Sequence, residues 1–184
     1  MKWIGISGTH GVGKSTLISD VENRLSTKVS VMREVARGVI SRGFPLGKRA
    51  DTDSYVCLVA EYIKSRTNIT KNPSPVVIFD RTILDTLSYA MVNITRGVAV
   101  KEHVIELLQA VWNEEKFSFS EYIYIPVEFE QTMTINDDID ESYRNQVSDK
   151  ILSNLCLSGV SYSELKGSRE KRTKSLIEII HKYV

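Results

Sequence analysis

Short apolar runs alternate along this chain with longer stretches in which apolar residues recur every three or four positions. The run at residues 76–79, Val-Val-Ile-Phe, is apolar without alternation, which is typical of a strand covered on both faces of a parallel sheet. Four further runs have the length and composition of strands, at residues 3–7, 29–35, 122–125 and 160–165. The pattern therefore predicts about five strands separated by helices.

The stretches between these runs have helical spacing. Leu17, Val21 and Leu25 step by four residues, and from Asp53 onward apolar side chains fall on one face of a predicted helix. The stretch at 51–54 supplies residue types that cap helix N-termini. Further helices are predicted at about 83–96, at 103–116, through Ile151 and Leu155, and from 169 to 184.

Strands that alternate with helices form βαβ units, and such units build a parallel sheet. We therefore expect one α/β domain of three layers over residues 1–184, with helices on both faces of the sheet. A chain of this length is enough for one domain, and no internal repeat or low-complexity tract divides it.

Charge and composition exclude several classes of protein. The chain has 24 Lys and Arg against 23 Asp and Glu, a formal net charge of +1, which weighs against binding to DNA or membranes by bulk charge alone. The 42% of hydrophobic residues is ordinary for a globular protein and excludes a disordered chain. Because no run approaches about 20 apolar residues and no signal peptide is recognisable, we expect a cytoplasmic protein without membrane contact.

Neither the cysteines nor the basic residues mark a site by themselves. Cys57 and Cys156 lie far apart outside any CxxC motif, so neither a disulfide scaffold nor a structural zinc site is expected, and both thiols are expected to fill core space. A basic run near the C-terminus is interpreted as a solvated helix face, with contact to nucleotide phosphates or to a nucleic-acid backbone as the alternative. It consists of Lys166, Arg169, Lys171, Arg172 and Lys174.

One motif indicates a phosphate-binding site. Residues 8–15, Gly-Thr-His-Gly-Val-Gly-Lys-Ser, match the P-loop pattern G-x-x-x-x-G-K-S/T, with a predicted strand before them and a predicted helix after them. The glycines let the backbone curl so that its N–H groups point at phosphate oxygens, and the helix adds the positive end of its dipole. Lys14 is placed to reach the β- and γ-phosphates, and the Ser15 hydroxyl to ligate Mg²⁺. The predicted nucleotide-binding residues here are Gly8, Thr9, His10, Gly11, Val12, Gly13, Lys14, Ser15 and Thr16.

A second candidate element follows the strand at 76–79, which ends in Asp80 and Arg81. A carboxylate at this end of a strand can hold Mg²⁺ or accept a proton from an attacking hydroxyl, and Arg81 can neutralise an anionic group. A surface salt bridge is the structural alternative for this pair. The sequence lacks the Asn/Thr-Lys-x-Asp element expected of a guanine-specific GTPase, and it has one acid after this strand where an ATPase motor usually has two.

Three elements together resemble the NadR-like P-loop kinases, a group of nucleoside and nucleotide kinases common in bacteria and phages. They are the P-loop, the stretch 33–38 (Arg-Glu-Val-Ala-Arg-Gly) and the stretch 80–85 (Asp-Arg-Thr-Ile-Leu-Asp) with Tyr89. The stretch 164–172 resembles the last-strand loop that lies near the nucleotide base in such proteins, so the resemblance covers most of the chain. It implies the P-loop NTPase fold.

The resemblance also implies roles for individual residues. Glu34 and Arg37 would line the acceptor pocket at the end of the second strand. Asp80 would be the base or the magnesium-side carboxylate, with Arg81 as an anchor for a phosphate or for the acceptor. Substrate contacts are thus expected from all four of these residues, and metal contacts from Ser15 and Asp80.

Two further parts of the site follow from the same resemblance. Gly167 and Arg169 would lie near the base of the nucleotide. A mobile lid would span about 130–148, and its Arg144 would stabilise charge on the transferring phosphoryl group. Ile139 stands where the family has a glycine, and a solvated helix start with Asp or Glu caps is the alternative for this acidic segment.

These features predict a kinase that uses ATP and Mg²⁺ to phosphorylate a hydroxyl of a nucleoside, a nucleotide or a related molecule. Lys14, Asp80, Arg81 and Arg144 would be its catalytic residues, and the protein would be a monomer or a homodimer.

Two alternatives stay open. The chain also resembles phage kinases that phosphorylate hydroxymethylpyrimidines, such as 5-hydroxymethyluracil, in DNA, which would place the protein in the host cytoplasm. The base would then leave the stack to reach Asp80, framed by Phe44, Tyr55 and Tyr89. The other alternative is a switch that binds ATP without transferring phosphate.

Overall fold

The computed structural model describes residues 1–71, 74–129 and 140–184. Its strands are β1 (Lys2–Ser7), β2 (Val29–Met32), β3 (Val76–Asp80), β4 (Phe119–Tyr124) and β5 (Tyr162–Glu164). All pairs are parallel, and the strands form one sheet in the order β2-β3-β1-β4-β5. The predicted parallel sheet of about five strands is confirmed.

The helices described are α1 (Lys14–Leu25), α2 (Ala36–Ile40), α3 (Thr52–Ile69), α4 (Ile83–Thr95), α5 (Glu102–Glu115), α6 (Glu141–Leu157) and α7 (Arg169–His181). Five residues are too few to show a helical period, so α2 and the 3₁₀ turn Gly47–Arg49 escaped prediction. The predicted cap of α3 is confirmed, because the Asp51 carboxylate accepts the Ser54 N–H at 2.9 Å.

Apolar side chains pack on both faces of the sheet, because alternate residues of each strand point to opposite faces. In β3, Val77 and Phe79 join the core formed with α3, α4, α5 and α6. Val76 and Ile78 join the second core, formed with α1 and α7. Every residue of β3 is buried as a result. The predicted three layers, with helices on both faces, are confirmed.

The order of the strands positions the site. β1 lies in the middle of the sheet, with β3 on one side and β4 on the other. The chain goes from β1 to β2 in one direction and later crosses to β4 in the other, and such reversals open a crevice at the carboxyl ends of the strands. Ile6 of β1 pairs with Asp80 of β3, and Ser7 pairs with Tyr124 of β4. The loops that follow these strands therefore meet at one edge.

The structure corrects two of the sequence predictions, and a third falls on residues that it does not describe. β2 ends at Met32 and not at residue 35, so Glu34 lies beyond the strand. Cys57 is half-buried and Cys156 is exposed on α6, so the prediction that both thiols fill core space is wrong. Residues 130–139 of the predicted lid, including Ile139, lie outside the described residues.

The described part of the lid region begins α6. Asp140 caps this helix by accepting the Tyr143 N–H at 2.8 Å, as the helix-start alternative predicts. No helix within residues 1–71, 74–129 and 140–184 is long and apolar enough to cross a membrane.

Candidate active site

The P-loop (residues 8–15) connects β1 to α1. Gly13 is the N-cap of α1, with φ of +89° and no side-chain cap. The first N–H groups of a helix have no partners within the helix, so at this end they are available to a ligand. Gly8 has φ of +152°, and a Cβ there would lie 2.6 Å from the carbonyl oxygen of Ile125. The close approach of the loop to the end of β4 therefore requires glycine.

Asp85 of α4 anchors the start of the P-loop. It is fully buried, and its carboxylate accepts the Gly8 N–H at 3.0 Å and the Ser7 hydroxyl at 2.8 Å. The same carboxylate accepts the Thr82 N–H at 3.1 Å, which makes a capping box at the start of α4. Asp85 thereby joins a strand end, the P-loop and a helix start.

The Lys14 ammonium lies inside the P-loop, where it donates to the carbonyl oxygens of Gly8, at 2.8 Å, and Thr9. Lys14 is 5% exposed. Burial and the nearby Arg81 charge lower the pKa of Lys14 to about 7, although neighbouring carboxylates oppose the shift. Its protonation is therefore sensitive to any negative charge that a ligand brings.

Asp80, at the end of β3, lies beside the P-loop. Its Oδ1 is buried and has no hydrogen-bond partner among the described residues. Burial raises the pKa of Asp80, and the Lys14 charge works against this rise. Because leaving a buried acceptor unpaired costs free energy, this oxygen is a candidate for contact with a ligand.

Arg81 joins the P-loop to the segment after β2. Within the described ranges it is the one residue other than glycine with a positive φ, +76°, a strained conformation that is frequent at functional sites. Its guanidinium donates to the Gly8 carbonyl at 2.8 Å and to the Glu34 carboxylate. Burial would raise the pKa of Glu34, but the charges of Arg81 and Lys14 outweigh it and lower the pKa. Glu34, Asp80 and Arg81 thus come together beside the P-loop, and the roles that the resemblance implies for them stay predictions.

Arg37 lies at the rim of this group. It is exposed on α2, and its charge contributes to the lowered pKa of Glu34. No carboxylate of the described residues forms an ion pair with it.

Arg144 lies in the first turn of α6 and is fully buried. Its guanidinium donates to the carbonyl oxygens of His10 at 3.2 Å and Gly11 at 3.3 Å. It also donates to the Phe129 carbonyl at 2.9 Å and pairs with Glu141 at 3.0 Å. The charge faces the P-loop backbone in this arrangement, and its predicted contact with a transferring phosphoryl group stays a prediction.

A cleft of about 150 Å³ lies beside the N-terminus of α1. Gly167 and Arg169 lie in its wall. Thr16, which directly follows the P-loop, lines the same cleft, so these residues are near the P-loop. The Gly167 N–H donates to the Glu128 carboxylate at 2.9 Å, and Arg169 binds both oxygens of Asp20. Among the described residues, the lining consists of Gly13, Thr16, Leu17, Phe129, Gly167, Arg169 and Arg172.

Tyr89 and Arg172 contact the P-loop in ways that the sequence did not predict. The His10 N–H donates to the Tyr89 hydroxyl at 3.0 Å, and the Arg81 guanidinium carbon lies 5.6 Å from the centre of the same ring. Arg172 of the basic run is buried, and it donates to the Val12 carbonyl at 2.8 Å. The spacing of positive charges on α7 gave no signal for this contact, because the acceptor is a backbone oxygen 160 residues away.

Comparison with known proteins identifies the fold. The sequence pattern of the AAA domain matches residues 3–172. The structure is similar to NadR protein in complex with NR, with a TM-score of 0.77 at 17% identity over 99% of this chain and 51% of that one. NadR protein in complex with NAD and AMP-PNP gives a TM-score of 0.74 at 16% identity, over 99% and 49%.

A third solved structure matches along its full length. Deoxyadenosine kinase from M. mycoides with bound dATP has a TM-score of 0.67 at 14% identity, over 98% of this chain and 100% of that one. In contrast, this chain spans only about half the length of the two NadR chains. No curated protein matches it in sequence. Identities this low establish the fold alone, and the predicted P-loop NTPase fold, with its resemblance to NadR, is confirmed.

Proposed function

The chain belongs to the AAA-domain family, and we propose that it is a kinase. It moves the γ-phosphoryl group of ATP to a hydroxyl group of a nucleoside, a nucleotide or a related small molecule. One observation carries the proposal: a P-loop lies beside the buried Oδ1 of Asp80, which has no partner among the described residues. A phosphoryl donor site and a proton acceptor thus meet at one sheet edge.

The nucleotide side supports the proposal through its backbone. The uncapped start of α1 offers N–H groups and the positive end of the helix dipole to the phosphates. Lys14 can leave the P-loop carbonyls that it now contacts and pair with phosphate oxygens. The cleft beside Thr16 and Gly167 accommodates the base. Two structurally similar proteins carry AMP-PNP and dATP, which agrees with a nucleoside triphosphate here.

Mg²⁺ is the metal that such a transfer uses, and the residues fit it. Asp80 offers a carboxylate oxygen without a described partner, and Ser15 stands at the exposed start of α1. No three His, Cys, Asp or Glu side chains of the described residues converge as ligands. The Ser15 hydroxyl and the phosphates would hold Mg²⁺ directly, and Asp80 would hold it through one of the waters that this ion usually keeps, which leaves the carboxylate able to accept a proton. The ion would neutralise charge on the β- and γ-phosphates.

On the acceptor side, Asp80 is the general base. The acceptor oxygen attacks the γ-phosphorus, the bond from that phosphorus to the β–γ bridging oxygen breaks, and the hydroxyl proton passes to Asp80. The raised pKa of Asp80 favours this proton transfer. Glu34, held by Arg81, is placed to accept a hydrogen bond from the substrate. Lys14 and Arg81 offset the negative charge of the transition state.

The test is phosphoryl transfer from labelled ATP with Mg²⁺ to a panel of nucleosides, mononucleotides and nicotinamide riboside. We expect one acceptor class to be labelled. Asp80→Asn should lower kcat about 10²- to 10⁴-fold while ATP still binds. Asp53→Asn, an exposed change on α3, is the matched control and should have no effect. If ATP binds and neither this panel nor hydroxymethylpyrimidine DNA is labelled, the kinase proposal fails and the ATP-binding switch without phosphoryl transfer is favoured.

A second candidate acceptor is a hydroxymethylpyrimidine in DNA. The observation that favours it is the charge of residues 33–49 between β2 and α3, where Glu34 is the single acid. In the C-terminal basic run Arg172 is buried and Arg169 pairs with Asp20. In the segment after β2, Arg33 and Arg42 are paired with Glu22 and Glu61 at the surface. The five basic residues of the segment after β2 are Arg33, Arg37, Arg42, Lys48 and Arg49.

DNA binding separates the two acceptors. Duplex DNA with 5-hydroxymethyluracil should bind with an affinity that falls steeply as salt is added, and it should be labelled from ATP. Thymine duplex of the same sequence controls for charge alone. Absence of binding at low salt excludes DNA and leaves the small-molecule acceptor.

A further inference from the structure

The outer side of the P-loop is held by two buried arginines from different helices. Arg144 of α6 donates to the carbonyl oxygens of His10 and Gly11, at 3.2 and 3.3 Å. Arg172 of α7 donates to the next carbonyl, that of Val12, at 2.8 Å. Three consecutive peptide units therefore direct their oxygens at guanidinium groups.

Because these three carbonyl oxygens are held by the arginines, the directions of the neighbouring N–H groups are also fixed. None of the described peptide bonds is cis. In a planar trans peptide unit the C=O and N–H bonds point in opposite directions. When the oxygens of His10, Gly11 and Val12 face the arginines, the N–H groups of Gly11, Val12 and Gly13 face away from them. These are the groups with which a P-loop binds the α- and β-phosphates.

Each arginine is itself held in place. Arg144 pairs with Glu141, and Arg172 pairs with Glu128, whose carboxylate also accepts the Gly167 N–H. Both guanidinium carbons lie 5.9 Å from the centre of the Phe129 ring. Buried, paired guanidinium groups lose little further freedom when they hold a loop, so they can fix its conformation before a ligand arrives.

We infer that Arg144 and Arg172 are positioning residues that fix the P-loop from outside and aim its N–H groups at the phosphates shared by ADP and ATP. This role rests on the proposed nucleotide site and differs from that of a lid arginine. A lid arginine would contact the γ-phosphate and distinguish ATP from ADP. Arginines that act through the backbone affect both nucleotides alike.

The test is the Kd of the full chain for ADP and for ATP, measured by calorimetry for wild type, Arg144→Met and Arg172→Met. Each change removes charge-assisted hydrogen bonds to the P-loop, so both Kd values should rise by the same factor, about tenfold. With saturating ATP, kcat should change less than the Kd does. Arg96→Met is the matched control, since Arg96 pairs with Asp140, the N-cap residue of α6, and makes no hydrogen bond to the P-loop within the described residues, so its Kd values should equal those of wild type.

Two results would overturn the inference. Equal Kd values for wild type and both variants would mean that the arginines do not position the P-loop. A loss of ATP affinity with unchanged ADP affinity would assign Arg144 to the γ-phosphate. Arg172→Lys keeps the charge and can still donate a hydrogen bond, and partial recovery of both affinities is expected even where the methionine variants are poorly folded. If wild type binds neither nucleotide, the proposed function itself fails; if it binds both without transferring phosphate, the inference is still tested.

Discussion

The two sides of the site are built from different parts of the chain. On the nucleotide side, successive P-loop carbonyls accept hydrogen bonds from buried cationic side chains, beginning with Lys14 and ending with Arg172. On the acceptor side Asp80 is buried, but the other groups are side chains closer to solvent: Glu34 has 28% of its side chain exposed, and Arg37 lies on the surface.

The backbone contacts of the nucleotide side are needed for every reaction of the protein, whereas the side chains of the acceptor side can vary with the acceptor. A phosphate chain is bound by backbone N–H groups, whose direction is set by the conformation of the loop and not by the identity of its side chains. A hydroxyl acceptor is recognised by side chains, and these can change without disturbing the core. We therefore expect changes on the nucleotide side to alter every reaction of the protein, and changes on the acceptor side to alter the choice of acceptor.

The largest effect is expected at Lys14, on the nucleotide side. Lys14→Met removes the charge that stabilises the transferring phosphoryl group, and kcat/KM should fall about 10²- to 10³-fold with every acceptor. Steady-state kinetics with two different acceptors measures this. Lys174→Met, on the exposed face of α7, is the control. A loss confined to one acceptor would contradict the proposed division.

A smaller but still large effect is expected at Asp85. Asp85→Asn removes the charge that accepts hydrogen bonds from Gly8 and Ser7, and such bonds contribute about 1.5–3 kcal/mol each. The free energy of unfolding in urea should fall by roughly that amount, and ADP affinity should fall with it. An unchanged unfolding midpoint would show that the P-loop does not depend on this anchor.

On the acceptor side, a substitution should change the KM of the acceptor and leave the affinity for ATP almost unchanged. Glu34→Gln keeps the shape and one hydrogen-bond acceptor but removes the charge held by Arg81. We expect KM for the acceptor to rise about tenfold, with the Kd for ATP within about twofold of wild type. Arg33→Gln, which removes an exposed ion pair with Glu22, serves as the control. A parallel loss of ATP affinity would mean that the two sides are not separable.

The smallest effect is a pH dependence of nucleotide binding. The pKa of Lys14 is lowered to about 7 in the free protein, and a bound phosphate raises it, so the complex holds more protons than its free components above that pH. ADP affinity should therefore fall as pH rises from 7 to 8, by at most about tenfold per pH unit. Calorimetry in two buffers should detect proton uptake in wild type, and Lys14→Met should lack this part of it. Proton uptake of equal size in both proteins would contradict the assignment.

Features confined to one stretch of the chain could be predicted from the sequence, and contacts between packed elements could not. The P-loop and the β3 end with Asp80 could be found because each is a local pattern tied to one strand end. The contact of Asp85 with Gly8 could not be found, because it depends on how α4 packs beside β1. The sequence pattern predicts a solvated basic run that includes Arg172, but Arg172 is buried, because the charge pattern is the same for a buried and an exposed arginine.

By itself, the sequence determined the alternation of strands and longer helices along the chain, the phosphate-binding loop and the acid at the end of β3. These depend on periodicity, glycine conformation and charge within a few residues. Only the tertiary structure decided which cations face the P-loop carbonyls, that Glu34 meets Arg81, and that Cys156 is exposed. The physical reason is that burial and hydrogen-bond partners belong to packed elements from distant parts of the chain. A local pattern specifies an element, but not what the element packs against.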